Sequence, residues 1–401
     1  METPYSNGGK AMLCWKCNGT GRKKQRKKIT VSDTKTAAAS PKLVSVLIDV
    51  ACPLCAAAGE TPAAPLNDTT KALPQRLLKK GFVRPFNPKF PPWNPPGPKA
   101  AVSITDAADQ LQEGEMITAL CGSWSIFQLI QGHRYTTDDL ATAAIAIKLY
   151  ETIPKPTRHI DIGCGLGSVL LFVKWFLHET LEKSVGIEAQ ERHCDLARKS
   201  IAVNMDHSDE NRDKNGDNND ANKNLIKKKN VVISEVRQGD LRQFADPTTI
   251  CQNLSVDEIE SFDLVTGTPP YFPLPNGVVP TVQGRGMCSF ELRGGVETYC
   301  IAASKCLART VNARFVFVQT AIEIERSQNA VWKNGMKVLE RVDFLGSEIK
   351  KAPLFVVFVC GWGNGHKEEY PVRTIAVRMK NGEYSSEYHE FLVLVGKPPV
   401  Q

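Results

Sequence analysis

The chain has 401 residues, enough for a full catalytic domain with length to spare, because single domains usually hold about 100–200 residues. No apolar run approaches the roughly 20 residues of a membrane span, and the N-terminal METPYSNGGK lacks a signal-peptide pattern. The twelve cysteines are scattered or paired, which suits a reducing compartment better than a disulfide framework. We therefore expect an intracellular protein of the cytoplasm or nucleus, without a membrane partner.

Positive charge is concentrated at the N-terminus. Residues 1–100 carry 17 Lys and Arg against 5 Asp and Glu, whereas the remaining 301 residues carry 33 against 38. A basic arm on a mildly acidic body is typical of a protein that binds a polyanion such as RNA. A solvated or targeting segment is the alternative interpretation.

Two cysteine pairs lie in residues 1–60, which we expect to form a basic, zinc-ribbon-like segment. Each pair, Cys14 with Cys17 and Cys52 with Cys55, has the two-residue spacing that presents two thiolates to one tetrahedral zinc ion. The β-branched run Leu43 to Ala51 predicts a strand leading into the second pair. The 34 residues between Cys17 and Cys52 exceed the usual spacing of a zinc ribbon, so reduced, unliganded thiols are the alternative.

A basic cluster and a proline-rich stretch complete the first hundred residues. The run from Arg22 to Lys28 has six basic residues in seven, a pattern typical both of phosphate binding and of a nuclear import signal. Residues 61–100 include PPWNPPGP at Pro91 to Pro98, which predicts an extended linker and not a domain core.

The segment 101–401 alternates helical and strand patterns, which predicts an α/β, Rossmann-like domain with a mostly parallel sheet covered on both faces. ADQLQEGEMITALCG (108–122) and DLATAAIAIKLYETI (139–153) predict helices. RHIDIG, SVGIE, NVVISEV, SFDLVTG, ARFVFVQT and PLFVVFVCG predict strands. Residues 207–230 are rich in Asp, Asn and Lys with almost no apolar residues, which predicts a disordered insertion.

A glycine-rich loop follows the first of these strands. It reads Asp161-Ile-Gly163-Cys-Gly165-Leu-Gly167, and glycines at these positions let the backbone turn tightly and approach a ligand. A dinucleotide fingerprint would require glycine at position 168, which is serine. The spacing instead resembles the first motif of S-adenosylmethionine-dependent methyltransferases, which implies that Asp161 and the three glycines bind this cofactor.

Acidic residues end the next two predicted strands. Glu188 is placed to take both ribose hydroxyls of a nucleoside cofactor, and Asp240 to accept a hydrogen bond from its adenine amino group. Either acid alone is more often a solvated strand-end charge. Their order after the glycine loop favours a cofactor cleft.

The fourth strand pattern ends at Thr268-Pro-Pro-Tyr271. Pro269 and Pro270 stop sheet pairing and stiffen the loop, which leaves carbonyls available as hydrogen-bond acceptors. A plain loop stiffener is the alternative from these four residues alone. The motif resembles the Asn/Asp/Ser-Pro-Pro-Tyr/Phe signature of methyltransferases that modify a planar amino nitrogen. There the first side chain and a proline carbonyl accept from the amine and the aromatic ring stacks on the base, a role for Tyr271 or also Phe272.

The resemblance extends further along the chain. TPPYF, CSFELRGGVETY (288–299), YSSEY (384–388) and QGHRYTTDDLATA together resemble the bacterial tRNA(Val) adenine-N6 methyltransferase family over roughly residues 115–395. In the last segment Arg134 and Asp138 match family positions ahead of the glycine loop, which places them at the cofactor. The family has asparagine where this chain has Thr268, whose hydroxyl can still accept one hydrogen bond.

The resemblance implies a Rossmann-like fold, S-adenosylmethionine and methylation of adenine N6 in transfer RNA. Ribosomal or small nuclear RNA would need the same pocket. Methylation of a protein glutamine amide is the same-class alternative, which the basic arm disfavours. A non-catalytic RNA-binding or activator subunit is the other alternative, and it is supported only by Thr268.

Overall fold

A computed structural model describes strands at 22–31, 42–51 and 82–84, and then residues 94, 96–130, 132–205, 233–246, 248–273, 288–363 and 369–398. The four cysteines of the predicted zinc site, Cys14, Cys17, Cys52 and Cys55, lie outside these described residues. So do most of the predicted linker and all of the predicted insertion at 207–230. The zinc site and the insertion therefore stay predictions.

The chain divides into two compact units, and the first, Met1–Pro74, contains an antiparallel strand pair. Strand β1 (Arg22–Val31) pairs with β2 (Lys42–Ala51), with Arg22 opposite Ala51 and Val31 opposite Lys42. The strand predicted at Leu43 to Ala51 is confirmed, whereas the basic cluster, for which we predicted no strand, lies in β1. In the sequence, Cys52 follows β2 directly and Cys17 precedes β1 by five positions.

The second unit, Gln75–Gln401, begins with a short helix, α1 (Ile104–Ala107), and a three-stranded sheet. Strands β3 (Phe82–Arg84), β4 (Glu115–Cys121) and β5 (Trp124–Leu129) form this sheet in the order β3-β4-β5. The helix predicted at 108–122 is wrong, because Gly114 and Gly122 have positive φ angles, 82° and 52°, and bound a strand. All but one residue of β4 is buried, and a buried strand and a buried helix share an apolar pattern.

The main sheet has eight strands. They are β6 (Arg158–Ile162), β7 (Lys183–Glu188), β8 (Ile233–Gln238), β9 (Leu264–Gly267), β10 (Arg314–Gln319), β11 (Met336–Leu345), β12 (Phe355–Trp362) and β13 (Val372–Ala376). The six strands predicted from sequence are confirmed as β6 to β10 and β12. Strands β11 and β13 were not predicted.

The strand order is β13-β11-β12-β10-β9-β6-β7-β8. Strands β6 to β10 pair in parallel, β12 runs antiparallel to both β10 and β11, and β13 runs parallel to β11. The order β8-β7-β6-β9-β10 is the 3-2-1-4-5 order of a doubly wound fold, so the predicted Rossmann-like class is confirmed. Such a sheet places its ligand crevice at the carboxyl ends of β6 and β9.

Helices cover both faces of this sheet. The first face buries residues of α2 (Thr137–Lys148), α3 (Ser168–Phe176), α4 (Glu191–Asn204) and α7 (Ser386–Leu394). The second face buries residues of α5 (Val296–Cys306) and α6 (Ile324–Lys333). Helix α2 confirms the helix predicted at 139–153 and begins with a capping box of Thr136 and Asp139, which satisfies its first backbone donors. Within the described part of the chain, no helix has the length and apolarity needed to cross a membrane.

A buried histidine makes stability depend on pH. His159 on β6 is fully buried, with its Nε2 2.9 Å from the Thr266 hydroxyl and its Nδ1 3.3 Å from the Ser184 hydroxyl. Burial lowers the pKa of His159 to about 3. Because this pKa lies below that of the unfolded chain, the stability that neutral His159 contributes is present above about pH 6.5 and is lost as pH falls.

His159→Gln is therefore expected to be less stable than the wild type at neutral pH. The difference should narrow by about 1.4 kcal/mol for each pH unit below about 6.5. Urea unfolding at several pH values measures this. A pH-independent difference for His159→Gln would contradict the assignment of a buried neutral ring.

Candidate active site

A cleft of about 330 Å³ opens at the carboxyl ends of β6, β7, β8 and β9. Ten of the twelve cofactor and substrate residues predicted from sequence line it. They are Arg134, Asp138, Gly163, Gly165, Glu188, Asp240, Thr268, Pro269, Pro270 and Tyr271. Residues far apart in the sequence thus surround one space of the size of a small-molecule site.

The glycine loop turns directly after β6. Gly163 and Gly165 have φ angles of 66° and 55°, in the left-handed region that favours glycine. A Cβ at Gly163 would lie 2.0 Å from the Tyr299 hydroxyl oxygen, so a side chain does not fit there. The close approach at Gly163 is therefore made by Tyr299, whereas a Cβ at Gly165 would meet nothing within 4 Å, so a ligand can approach the backbone there.

Asp161 and Gly167 do not line the cleft, which corrects the expectation that both contact a cofactor. Asp161 is buried beneath the loop, where it accepts hydrogen bonds from the Leu170 amide (3.2 Å) and the Thr266 hydroxyl (2.7 Å). Burial raises the pKa of Asp161 to about 7. Gly167 has a φ angle of 82° at the start of α3, and a Cβ there would lie 3.3 Å from Ala197. Asp161 and Gly167 therefore support the glycine loop from the side that does not line the cleft.

Glu188 ends β7 and anchors the loop. Its carboxylate accepts hydrogen bonds from the backbone amides of Gly165 (3.0 Å) and Gln190 (2.7 Å). Burial raises the pKa of Glu188, and these two amides act against that rise. Each carboxylate oxygen accepts from one backbone amide, which leaves further lone pairs for hydroxyl groups in the cleft.

Asp240 follows β8 and also lines the cleft, but its carboxylate already accepts hydrogen bonds from Arg242. The Arg242 amide donates to it at 3.0 Å, and the guanidinium donates to both of its oxygens at 2.6 to 3.1 Å. These bonds hold the pKa of Asp240 below its usual value. The Asp240 carboxylate therefore has fewer lone pairs left to accept a hydrogen bond from an adenine amino group than the sequence suggested.

Two adjacent carboxylates face the cleft at the start of α2. Asp138 accepts from the Thr136 hydroxyl and from the Tyr271 hydroxyl. Asp139 accepts from the Thr136 amide at 2.8 Å, and burial raises its pKa well above the usual value, with Asp138 adding to the rise. Arg134 lies on the same side of the cleft. A pair of acids beside an arginine suits a ligand that carries both an amine and a carboxylate.

Thr268, Pro269, Pro270 and Tyr271 line the cleft at the end of β9, the strand that pairs directly with β6. The Gln319 side-chain amide donates to the Pro270 carbonyl at 3.4 Å. No described residue donates a hydrogen bond to the Pro269 carbonyl. Thr268, which carries a hydroxyl, and Pro269, whose carbonyl accepts from no described donor, therefore line the cleft in one turn.

The two aromatic residues after the prolines differ in how exposed their rings are. The Tyr271 hydroxyl is bonded to Asp138, and burial raises the pKa of Tyr271 well above its usual value. Phe272 is 45% exposed, and its ring centroid lies 5.5 Å from that of Phe290. Phe272 with Phe290 therefore offers the more open stacking surface, whereas Tyr271 is fixed in the wall.

Residues 288–295 form the cleft edge beside Phe272. The Phe272 amide donates to the Ser289 carbonyl and the Glu291 amide donates to the Phe272 carbonyl, both at 3.0 Å. Arg326 of α6 then holds the Glu291 carboxylate with two hydrogen bonds of 2.8 Å. This clamp fixes the position of Phe290 and of Arg293, which also lines the cleft.

Several lining residues were not predicted as site residues. Among them are Asp139, Ser168, Cys288, Ser289 and Arg293. Sequence adjacency to Asp138 was a usable signal for Asp139, whereas Arg293 reaches the cleft only through long-range packing. Among the described residues, no group of three or more His, Cys, Asp or Glu side chains could hold a metal ion.

Comparison with solved structures finds low-identity similarity to methyltransferases. A predicted O-methyltransferase from Agrobacterium tumefaciens is 13% identical with a TM-score of 0.42, covering 65% of this chain and 98% of that one. A ribosomal protein L11 methylase from Lactobacillus delbrueckii subsp. bulgaricus is 11% identical with a TM-score of 0.32, covering 57% and 80%. A type I restriction-modification methyltransferase subunit from Streptococcus thermophilus is 12% identical with a TM-score of 0.39, covering 65% and 52%. No protein-family model and no curated protein matches the chain.

Proposed function

We propose that this chain transfers a methyl group from S-adenosylmethionine to the N6 amino group of adenosine in RNA. One observation carries the proposal: Thr268-Pro-Pro-Tyr271 and the glycine loop with Glu188 line the same cleft. The proposed acceptors for a planar amine thus share one cleft with a loop suited to a nucleoside cofactor. The resemblance in sequence to adenine-N6 methyltransferases of transfer RNA supports this choice of target.

The donor set of the cleft fits this cofactor. Glu188 retains lone pairs for ribose hydroxyls, and the Gly165 backbone permits close approach. Arg134 suits a carboxylate, while Asp138 and Asp139 suit an ammonium group and a neighbouring sulfonium. S-adenosylmethionine carries all of these groups, and when bound it supplies an electrophilic methyl group on its sulfonium.

The Thr268 hydroxyl and the Pro269 carbonyl are the proposed acceptors for the amino group of the target base. Two acceptors in the plane of the amine draw its hydrogens and leave its lone pair directed at the methyl group. Because the methyl donor is already activated, orientation and charge placement supply much of the acceleration without a strong general base. The base would stack on Phe272 beside Tyr271, and such stacking contributes roughly 1–3 kcal/mol.

We propose that the N-terminal unit binds RNA. Its strand β1 contains the basic run from Arg22 to Lys28, and basic residues bind phosphates without regard to sequence. A structural zinc ion bound by Cys14, Cys17, Cys52 and Cys55 would stabilise the fold of this unit. Transfer RNA is the proposed class, and ribosomal or small nuclear RNA would use the same pocket.

A labelled-methyl experiment tests the proposal. The full chain is incubated with methyl-labelled S-adenosylmethionine and, in parallel, with total RNA or with total protein treated with ribonuclease. We expect label in the RNA fraction only. Label in protein would indicate glutamine-amide methylation. Measurable cofactor binding with no transfer to either fraction would indicate a non-catalytic subunit.

A further inference from the structure

Two loops extend the active-site edge of the sheet beyond β10. Residues 346–354 join β11 to β12, and residues 377–385 join β13 to α7; we call them the basic loop pair. The strand registers place Gln319 opposite Val356, Phe344 opposite Phe355 and Leu345 opposite Ala376. Because these pairs lie at the carboxyl end of β10, both loops lie at the same end of the sheet as the cleft.

Hydrogen bonds fix the two loops to each other. The Glu348 amide donates to the Arg378 carbonyl at 2.9 Å, and the Lys380 amide donates to the Glu348 carboxylate at 2.6 Å. The Arg378 guanidinium lies over the Tyr384 ring, 4.4 Å from its centroid. The pair therefore forms one ordered surface and not two independent tips.

This surface carries unpaired positive charge. Lys350, Lys351 and Lys380 are exposed, and none of the three forms an ion pair with a residue that the structure describes. Its two acids, Glu348 and Glu383, already accept hydrogen bonds, Glu348 from the Lys380 amide and Glu383 from the Asn381 side chain. Since residues 101–401 as a whole carry more acidic than basic residues, this concentration of lysines is a local feature.

Apolar side chains are interleaved with these lysines. Ile349 is 62% exposed and Leu354 is 61% exposed. Ammonium groups between exposed apolar side chains match a strand of nucleic acid, which presents phosphates and unstacked bases together. An acidic peptide would match the positive charge of the loop pair. The location of the loops at the same end of the sheet as the proposed base-binding wall favours RNA.

The surface is connected to the target pocket through β10. Gln319, the last residue of β10, bonds to the Pro270 carbonyl in the pocket wall. Four strand spacings separate β9 from β13, a distance of roughly 20 Å. Nucleotides a few positions away from a base held in the pocket would reach the loops over this distance.

We propose that the basic loop pair binds the RNA strand adjacent to the target nucleotide, with Lys350, Lys351 and Lys380 contacting phosphates. The proposal rests on the proposed function for the identity of the bound polymer. It gives the catalytic domain an RNA contact of its own, on the side of the cleft formed by β10 to β13.

A binding assay with charge-reversal variants tests this surface. The probe is a fluorescein-labelled, mixed-sequence single-stranded RNA of about 20 nucleotides, a length above the site sizes of single-strand binders. The full chain is saturated with S-adenosylhomocysteine, so binding is measured without methyl transfer. We expect Lys350→Glu/Lys351→Glu to weaken binding at least tenfold. The slope of log affinity against log salt should fall by about 1.4, or about 0.7 for each lost phosphate contact.

The matched control is Lys305→Glu/Lys333→Glu. These lysines lie in the last turns of α5 and α6, are exposed, and lie at the opposite end of the sheet. We expect this pair to change RNA affinity less than about twofold. Equal losses for the two pairs, or no loss for the loop pair, would overturn the proposed surface.

The assay separates this surface from the proposed activity. A selective loss of binding in the loop variant supports the surface even if the wild type transfers no methyl group to RNA. Methyl transfer to RNA together with unchanged binding by the loop variant would overturn the surface alone.

Discussion

Replacing Thr268 by alanine is expected to lower kcat for methyl transfer about 100-fold, because one transition-state hydrogen-bond partner of the amine is removed. The affinity for S-adenosylmethionine should not change, since the proposed partner of the Thr268 hydroxyl is the substrate amine and not the cofactor. Thr268→Asn, which supplies an amide acceptor at the same place, should retain transfer within about tenfold of the wild type. Single-turnover kinetics with labelled cofactor and RNA, together with calorimetric cofactor binding, measure both quantities.

A matched threonine controls for the loss of a hydroxyl. Thr374 is exposed on β13, away from the cleft, and Thr374→Ala should behave as the wild type. If Thr268→Ala kept full transfer, its hydroxyl would not be an acceptor for the amine. If Thr268→Ala lost cofactor affinity as well, the cofactor and substrate sides of the cleft would be assigned incorrectly.

Glu188→Ala is expected to weaken the binding of S-adenosylmethionine about 100-fold, the equivalent of roughly 2–3 kcal/mol. The variant loses the proposed acceptor for the ribose hydroxyls and also the acceptor of the Gly165 and Gln190 amides. Because burial raises the pKa of Glu188, wild-type affinity should fall with decreasing pH earlier than for an ordinary glutamate. Calorimetric titration at several pH values measures both effects.

Asp240→Ala provides the comparison for Glu188→Ala. The Asp240 carboxylate is already occupied by Arg242, so its removal should cost less than about tenfold in cofactor affinity. A larger loss for Asp240→Ala than for Glu188→Ala would show that Asp240 is the principal acid at the cofactor. Thermal unfolding of both variants establishes that each is folded before binding is compared.

Local patterns were sufficient for most of the parallel sheet. Strand Arg158–Ile162 alternates polar and apolar residues, and the glycine loop that follows it marks its end. Strand Arg314–Gln319 is buried on both faces and appears as a short apolar run. The same signal failed at Glu115–Cys121, where a strand with nearly every residue buried was interpreted as a helix. Strand β13 has mostly exposed or half-buried residues, so no apolar run marks it.

The part of the site that could not be predicted depends on contacts between distant residues. The bond from Tyr271 to Asp138 spans 133 positions and holds the predicted stacking ring in the wall. The placement of Phe290 depends on its backbone bridge to Phe272 and on the clamp between Arg326 and Glu291. Asp161 shows the converse case, since its place in the motif predicted a ligand contact and the fold buries it. Sequence spacing identifies which strand end a residue follows, but not which atoms reach the cleft.

The central claim is that the Thr268-Pro-Pro-Tyr271 wall presents an adenine amino group to the cofactor cleft. Mass spectrometry of nucleosides tests it most directly, using RNA incubated with the full chain and S-adenosylmethionine and then digested to single nucleosides. Thr268→Ala serves as the blank. The account predicts N6-methyladenosine that accumulates with the wild type and is reduced to near background with the variant. A methyl group found on a ribose, on another base, or only in protein would contradict it.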